Sequence, residues 1–212
     1  MTCVAPPPTV DWAPLRDDPV ARKRLLVVDD HPAVRTGLRE LLADEADFEV
    51  VAAVASAEDG MDIAKRDRID VAVVDYQLGG RNGLWLSRKL KRLPDPPAVL
   101  IYSAYTDGIL AAAAVVAQAD SIVSKGQVGS ELCHEIRRAA AGARHLPALP
   151  PRLAESLRRR LDNEEQAIFG MLLAGLEPAD VAATLGVSAT GLEAQLGELL
   201  RRLEGLPPAP GT

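Results

Sequence analysis

Five short apolar runs alternate with longer segments of helical periodicity between residues 23 and 142. The runs cover residues 25–28, 50–55, 71–74, 98–102 and 121–124. Strands that alternate with helices in this way build βαβ units and a parallel sheet. The pattern therefore predicts an α/β fold class, a doubly wound five-stranded parallel sheet of the flavodoxin-like kind.

Local signals place a helix after each predicted strand. Pro32 suits the first turn of a helix, Ser56 with Asp59 resembles a capping box, and Pro94 stops the third helix. The predicted helices start at Pro32, run from Ser56 to Arg66 and from about Leu84 to Leu93, and cover 107–118 and 128–142.

The rest of the chain predicts one further domain and two tails. Residues 1–22 are proline-rich without an apolar period, which indicates a mostly disordered extension. Residues 143–160 combine prolines with an arginine run, which indicates a linker and a connecting helix. Residues 161–205 show helical patterns only, and 206–212 form a frayed tail. We therefore expect a small all-α domain after the sheet domain.

Composition adds a charge asymmetry to this picture. The 212 residues are 48% hydrophobic and carry a net charge of −6. Residues 161–205 hold eight acidic residues against Arg201 and Arg202, so this segment accounts for the whole net charge. No apolar stretch approaches the about 18 residues of a membrane span, and the start does not resemble a secretion signal. The two lone cysteines fit a reducing compartment, so we expect a cytoplasmic protein.

Polar residues follow four of the five apolar runs at the edge where parallel strands end. They are Asp29 and Asp30, Asp75, Ser103, and Lys125. In doubly wound sheets, ligands sit beyond the carboxyl ends of the strands. Clustered carboxylates repel unless a cation neutralises them, and Mg²⁺ accepts carboxylates together with waters and phosphate oxygens. The pattern predicts a site for Mg²⁺ and a phosphoryl group, with a carboxylate as the nucleophile.

Four motifs of the sheet domain resemble those of two-component response regulator receiver domains. Residues 27–32 read Val-Val-Asp-Asp-His-Pro, 73–83 contain Val-Val-Asp-Tyr-Gln-Leu, 102–104 read Tyr-Ser-Ala and 124–126 read Ser-Lys-Gly. The resemblance implies a phosphorylation switch rather than an enzyme, with a sensor histidine kinase as phosphoryl donor. It also implies the following roles: Asp75 as phosphoacceptor and Mg²⁺ ligand, Asp30 as direct ligand, Asp29 as ligand through water, Gln77 as ligand by its backbone carbonyl, Ser103 as switch hydroxyl, and Lys125 as salt-bridge partner of the phosphoryl group.

The receiver segment departs from that family at two positions. Gly79 stands where many members have proline, and Ile122 stands where an aromatic residue often moves with the switch hydroxyl. We interpret His31 as a loop residue beside the first helix, because imidazole adds little to an Mg²⁺ site. A phosphatase of the haloacid dehalogenase type is a second hypothesis, but it needs an aspartate at position 77, where this chain has Gln77.

Residues 161–205 resemble the LuxR-type (NarL/FixJ-like) helix-turn-helix domain attached to many response regulators. A short helix over 181–185 is followed by Gly186, a potential N-cap at Ser188 and a longer leucine-periodic helix. The resemblance implies transcription regulation through a homodimer on DNA. The candidate DNA-facing residues are Ser188, Thr190, Gly191, Glu193 and Gln195.

The charge of this helix argues against its DNA contacts. Glu193 stands where the family usually has a basic residue, and DNA affinity rests largely on Lys and Arg that neutralise phosphates. The alternative function is therefore a response regulator whose C-terminal domain acts as a protein-interaction or dimerisation module. We expect phosphorylation to change an interface at the fourth and fifth helices, where residues 111–114 serve either close packing or ordinary core.

Overall fold

The computed structural model describes residues 22–127 and 129–205. The predicted extension over 1–22, apart from Arg22, and the predicted tail over 206–212 lie outside the described residues. The elements in chain order are β1 (Lys23–Val28), α1 (Pro32–Ala43), β2 (Phe48–Val54), α2 (Ala57–Arg66), β3 (Val71–Asp75), α3 (Gly83–Leu90), β4 (Ala98–Ser103), α4 (Gly108–Val116), β5 (Ser121–Ser124), α5 (Gly129–Ala140), α6 (Pro151–Arg158), α7 (Asn163–Leu173), α8 (Pro178–Leu185) and α9 (Ala189–Glu204).

The five strands form one parallel sheet in the order β2-β1-β3-β4-β5. Leu25 and Val27 face a core that α1 and α5 cover, whereas Leu26 and Val28 face a core that α2, α3 and α4 cover. Because both faces of the sheet are buried, the strands are continuous apolar runs rather than alternating ones. The predicted doubly wound sheet is confirmed.

Helix boundaries follow local chemistry and differ from the predicted ones by up to three residues at several helix ends. The Ser56 hydroxyl caps α2 by accepting a hydrogen bond from the Asp59 amide at 3.1 Å, as predicted. The third helix ends at Leu90 rather than Leu93. The next residues tighten into turns, in which the Arg92 amide bonds the Lys89 carbonyl. Such a tightened last turn satisfies carbonyls at a helix end.

The C-terminal helices α7, α8 and α9 form the predicted helix-turn-helix arrangement. Gly186 ends α8 with a φ of 67°, a left-handed conformation that glycine adopts without a steric penalty. Ser188 then caps α9 by accepting a hydrogen bond from the Gly191 amide at 3.0 Å. Leucines on one side of α9 are buried with Phe169 of α7, so the three helices enclose an apolar core.

One helix of the sheet domain is buried on two sides. α4 is apolar nearly all round, and Ala111, Ala112, Ala113 and Ala114 are all buried. It packs against the sheet and also against α9 and α7. A helix without a polar face requires cover on both sides. The C-terminal domain supplies the second cover, so the two domains share one continuous apolar core.

Among residues 22–127 and 129–205, no helix combines the length and the apolar character that a membrane crossing requires.

Candidate functional site

The ends of β1 and β3 bring two of the predicted carboxylates together. These strands are neighbours, and Val28 pairs with Val74, so Asp29 and Asp75 leave the sheet side by side. Asp29 is 1% exposed and Asp75 is 3% exposed. Two neighbouring buried carboxylates require a positive partner, because burial and mutual repulsion both disfavour their charged forms.

Lys125 provides that partner from the end of β5. Its Nζ lies 2.7 Å from Oδ2 of Asp29 and 2.8 Å from Oδ2 of Asp75. Burial raises the pKa of Asp75, because the hydrogen bond from Lys125 offsets only part of the desolvation. The pKa of Lys125 is also raised, since its hydrogen bonds to the two carboxylates outweigh the effect of its own burial.

Asp30 and His31 complete an acidic cluster at the same edge. One ligand atom from each of Asp29, Asp30, His31 and Asp75 lies within 4.8 Å of the others. Nδ1 of His31 is 2.7 Å from Oδ1 of Asp30, a buried oxygen that has no hydrogen-bond partner among the described residues. The oxygens of three clustered carboxylates fit a hard divalent cation.

His31 therefore lies closer to the chemistry than the sequence indicated. It is the N-cap residue of α1, in agreement with the predicted loop position, but its ring points into the cluster. The side chain is 65% exposed, so the ring covers the outer side of the carboxylates. The sequence does not predict this orientation of the ring, because the dipeptide His31-Pro32 also suits an ordinary helix start.

The end of β4 and the loop after β3 supply the remaining predicted groups. The Ser103 hydroxyl is buried at the end of β4 and accepts a hydrogen bond from the Tyr105 amide at 3.2 Å. After β3, the backbone amide of Gln77 donates a hydrogen bond to Oδ1 of Asp75 at 3.2 Å. The structure thus gathers Asp75, Ser103 and Lys125 at one edge, while the metal role of the Gln77 carbonyl stays a prediction.

Gly83 fixes the loop that follows Asp75. A Cβ atom at this position would lie 2.2 Å from the carbonyl oxygen of Asp75, which is far inside van der Waals contact. The Gly83 amide also donates to the Tyr76 carbonyl at 3.0 Å. Only glycine lets the start of α3 come this close to the backbone at the end of β3.

Comparisons with known proteins agree with this geometry. Residues 25–137 match the model of the response regulator receiver domain family. That match spans more than half of the chain. The chain belongs to the response regulator receiver family. It is a two-component response regulator in which the receiver precedes a C-terminal helical domain.

Full-length relatives cover both domains of the regulator. It is 27% identical to the response regulator UvrY of Escherichia coli K12 over 77% of this chain and 80% of that protein. It is 30% identical to the DNA-binding transcriptional activator DevR/DosR of Mycobacterium tuberculosis over 85% of this chain and 88% of that protein. The solved RcsB–DNA complex aligns with a TM-score of 0.57 at 19% identity, over 88% of this chain and 94% of that one, which shows a shared fold.

The candidate DNA-facing helix of the regulator contacts its own receiver. Nη2 of Arg88 on α3 lies 2.7 Å from Oε2 of Glu193 and also donates to the Glu193 carbonyl at 2.6 Å. Arg92 adds a longer ion pair to the same carboxylate at 3.3 Å. The acidic residue with the wrong charge for DNA thus has a cationic partner within the chain.

The other candidate DNA-facing residues have smaller roles in this arrangement. Ser188 and Gly191 form the cap of α9, Thr190 is exposed, and Gln195 bonds Glu164 of α7. Their DNA contacts stay predictions. A groove of about 400 Å³ lies between α3 and α9, and Trp85 and Glu193 are among the residues of its wall.

The end of α9 makes a second contact that the sequence did not reveal. Nδ2 of Asn82 donates to Oε1 of Glu204 at 2.6 Å. Burial raises the pKa of Glu204, and the bond from Asn82 offsets only part of that effect. The apolar surface all round α4 was the one sequence signal for such docking, since it required a second covering helix.

Proposed function

We propose that the regulator accepts a phosphoryl group on Asp75 from a phosphohistidine of a sensor histidine kinase and regulates transcription through its C-terminal domain. The observation that carries the proposal is the contact of Lys125 with both Asp29 and Asp75 at the sheet edge. One ammonium between two buried carboxylates leaves an acidic cluster that suits a divalent cation and a phosphoryl group.

Asp75, Lys125 and Ser103 have different roles in the phosphoryl transfer. A carboxylate oxygen of Asp75 attacks the phosphorus, the phosphorus–nitrogen bond of the phosphohistidine breaks, and the departing imidazole nitrogen takes up a proton. Lys125 then pairs with a phosphoryl oxygen, and the Ser103 hydroxyl donates to another. Asp29, Asp30, Asp75 and the Gln77 carbonyl would hold Mg²⁺, which neutralises charge on the phosphoryl oxygens.

Labelling with a small-molecule phosphodonor tests this assignment. Incubation with acetyl phosphate and Mg²⁺ should add one phosphoryl group to the wild-type protein, as measured by intact-protein mass spectrometry. Asp75→Asn should remove the label because its amide is not a nucleophile. Asp62→Asn is the matched control, since the Asp62 side chain is 71% exposed on α2 and lies outside the acidic cluster. Equal labelling of the Asp75→Asn protein would contradict the proposal.

The C-terminal domain provides the output in this proposal. Its helix-turn-helix geometry supports DNA binding, and α9 must leave the receiver before the Glu193 side of the helix can approach a groove. Phosphorylation would favour that release by shifting the population of receiver conformations. We expect the DNA-bound form to be a homodimer.

Gel shifts on genomic fragments test the output. The phosphorylated protein should bind DNA with an affinity that falls steeply as salt rises, because phosphate contacts release counterions. Absence of binding at every protein concentration, with and without phosphorylation, would instead support a protein-interaction module. The relatives of the regulator do not favour that second function.

A further inference from the structure

Glu204 is the last residue of α9, and its carboxylate reaches the loop that carries the phosphorylation chemistry. Its Oε1 accepts a hydrogen bond from Nδ2 of Asn82 at 2.6 Å. The same Asn82 side chain accepts a hydrogen bond from the Trp85 amide at 2.9 Å and so caps α3. Asn82 therefore ties the end of α9 to the loop over 76–82, which starts directly after Asp75.

A small cavity also places Glu204 beside the second loop of the site, which follows β4 and covers residues 104–107. Tyr76, Tyr105, Asp107 and Ala113 line this cavity of about 120 Å³ together with Glu204. Burial raises the pKa of the Tyr76 phenol, and the charges of Glu204 and Asp107 raise it further. Glu204 thus lies close to residues from both loops that border the acidic cluster.

Both loops are bonded to groups that change partners during phosphorylation. Tyr76 follows the acceptor Asp75 directly. The amide of Tyr105 donates to the Ser103 hydroxyl, so movement of that hydroxyl toward a phosphoryl oxygen must break or carry this bond. The aromatic residue that often reports such movement in the family is replaced by Ile122 in β5.

The other polar contact of α9 differs in its position. Glu193 pairs with Arg88 on α3 and with Arg92 just after that helix, and neither arginine belongs to a loop of the acidic cluster. That pair can hold the two domains together in either phosphorylation state. The Asn82–Glu204 bond can hold them only while the loop over 76–82 keeps its present conformation.

From this difference we propose that Glu204 is the contact through which the phosphorylation state of Asp75 controls the position of α9. This inference rests on the proposed function and assigns its regulation to one hydrogen bond. Glu204 is a positioning residue: it touches neither the phosphoryl group nor the cation, and it acts through Asn82 and the cavity at Tyr76.

A role-reversed pair tests the hydrogen bond. Asn82→Asp keeps the oxygen that caps α3 but replaces the Nδ2 donor by a second carboxylate beside Glu204, so at alkaline pH, where the two groups cannot share a proton, repulsion replaces the bond. Adding Glu204→Gln restores a bond, in which the glutamine amide donates to the carboxylate that Asn82→Asp introduces. Glu204→Gln alone keeps the size of the side chain and can still accept from Asn82.

Thiol labelling measures how often α9 leaves the receiver. Ala113 is 2% exposed and lines the cavity, so Ala113→Cys, in a background lacking the native cysteines, reacts with a thiol reagent only when α9 moves away. In the Ala113→Cys protein with Asn82 and Glu204 intact, phosphorylation should raise the labelling rate about 5- to 150-fold, which is the usual factor by which two coupled sites affect each other. Intact-protein mass spectrometry monitors the phosphorylation of Asp75 in the same samples.

The variants should separate docking from control. Asn82→Asp should label fast in both phosphorylation states, so the ratio of the two rates falls close to one. The double variant should recover the wild-type ratio. Glu193→Gln should raise both rates and leave their ratio unchanged, because it weakens docking without touching the loops.

Three results would overturn the inference. If Asn82→Asp shows the wild-type ratio of labelling rates with and without phosphorylation, this bond does not control α9. If the double variant does not respond to phosphorylation, the role of Asn82 is purely structural. If the wild-type protein is not phosphorylated at Asp75, the proposed function fails and this inference fails with it. If Asp75 is phosphorylated but Asn82→Asp keeps the wild-type ratio of labelling rates, only the inference about Glu204 is refuted and the proposed function stands.

Discussion

The ion pair between Arg88 and Glu193 predicts a measurable coupling between the two domains. The side chains are 12% and 20% exposed, and Nη2 of Arg88 is 2.7 Å from Oε2 of Glu193. A hydrogen bond to a charged group contributes about 1.5–3 kcal/mol, whereas the more exposed Arg92 adds little. We expect a coupling free energy of about 1.5–3 kcal/mol from the cycle of Arg88→Gln, Glu193→Gln and the double variant.

The single variants should cost more than this coupling suggests. Nε of Arg88 is buried without a hydrogen-bond partner among the described residues. Removal of the Glu193 carboxylate therefore leaves a largely desolvated guanidinium with less compensation. The double variant should regain part of the stability that Glu193→Gln loses.

Urea unfolding followed by Trp85 fluorescence is a suitable assay, with Trp12→Phe as background. Trp85 lines the groove between α3 and α9, so its emission reports undocking as well as unfolding. The Glu198–Arg201 pair within α9 is the matched control, because its side chains are 50% and 70% exposed and it bonds no described residue of the receiver. That pair should couple by about 0.2–0.5 kcal/mol. An Arg88–Glu193 coupling no larger than the control would refute the docked arrangement.

Three further predictions concern the receiver. Gly83→Ala should strongly slow phosphorylation by acetyl phosphate, because its Cβ would lie 2.2 Å from the Asp75 carbonyl; Gly80→Ala, with nothing within 4 Å, should label like the wild type. In a Cys3→Ser background, native Cys133 should react with iodoacetamide at pH 8 about 100-fold more slowly than in urea, because burial raises its pKa from 9.0 to about 11. Since the folded state keeps this proton and the unfolded state loses it, stability should fall as pH rises from 9.0 to about 11, as urea titrations at several pH values would show. Equal reactivity in both states would contradict the burial of Cys133.

Most of the receiver could be read from the sequence because its signals are local. Four of the five apolar runs end next to a residue of the site, so strand prediction alone brought Asp75, Ser103 and Lys125 to one edge. The direction of parallel strands does the rest, since all their carboxyl ends meet there. Helix caps at Ser56 and Ser188 were equally local and are present in the structure.

The acidic cluster was less complete in the sequence. His31 looked like an ordinary residue beside a helix start, and only the backbone turn before α1 directs its ring toward Asp30. The partnering of Lys125 with Asp29 as well as Asp75 also depended on side-chain geometry. Residue type and spacing do not specify such orientations.

The sequence by itself determined the sheet, the polar groups at its edge and the frame of the C-terminal helices. Only the tertiary structure decided what Glu193 and Glu204 contact, because their partners on the receiver lie more than a hundred residues away in the chain. The sequence of α3 does not specify the partners of its arginine and lysine side chains, because many arrangements would provide them with a carboxylate. The packing of α9 on the apolar surface of α4 selects one, since burial of that surface fixes which charged groups meet.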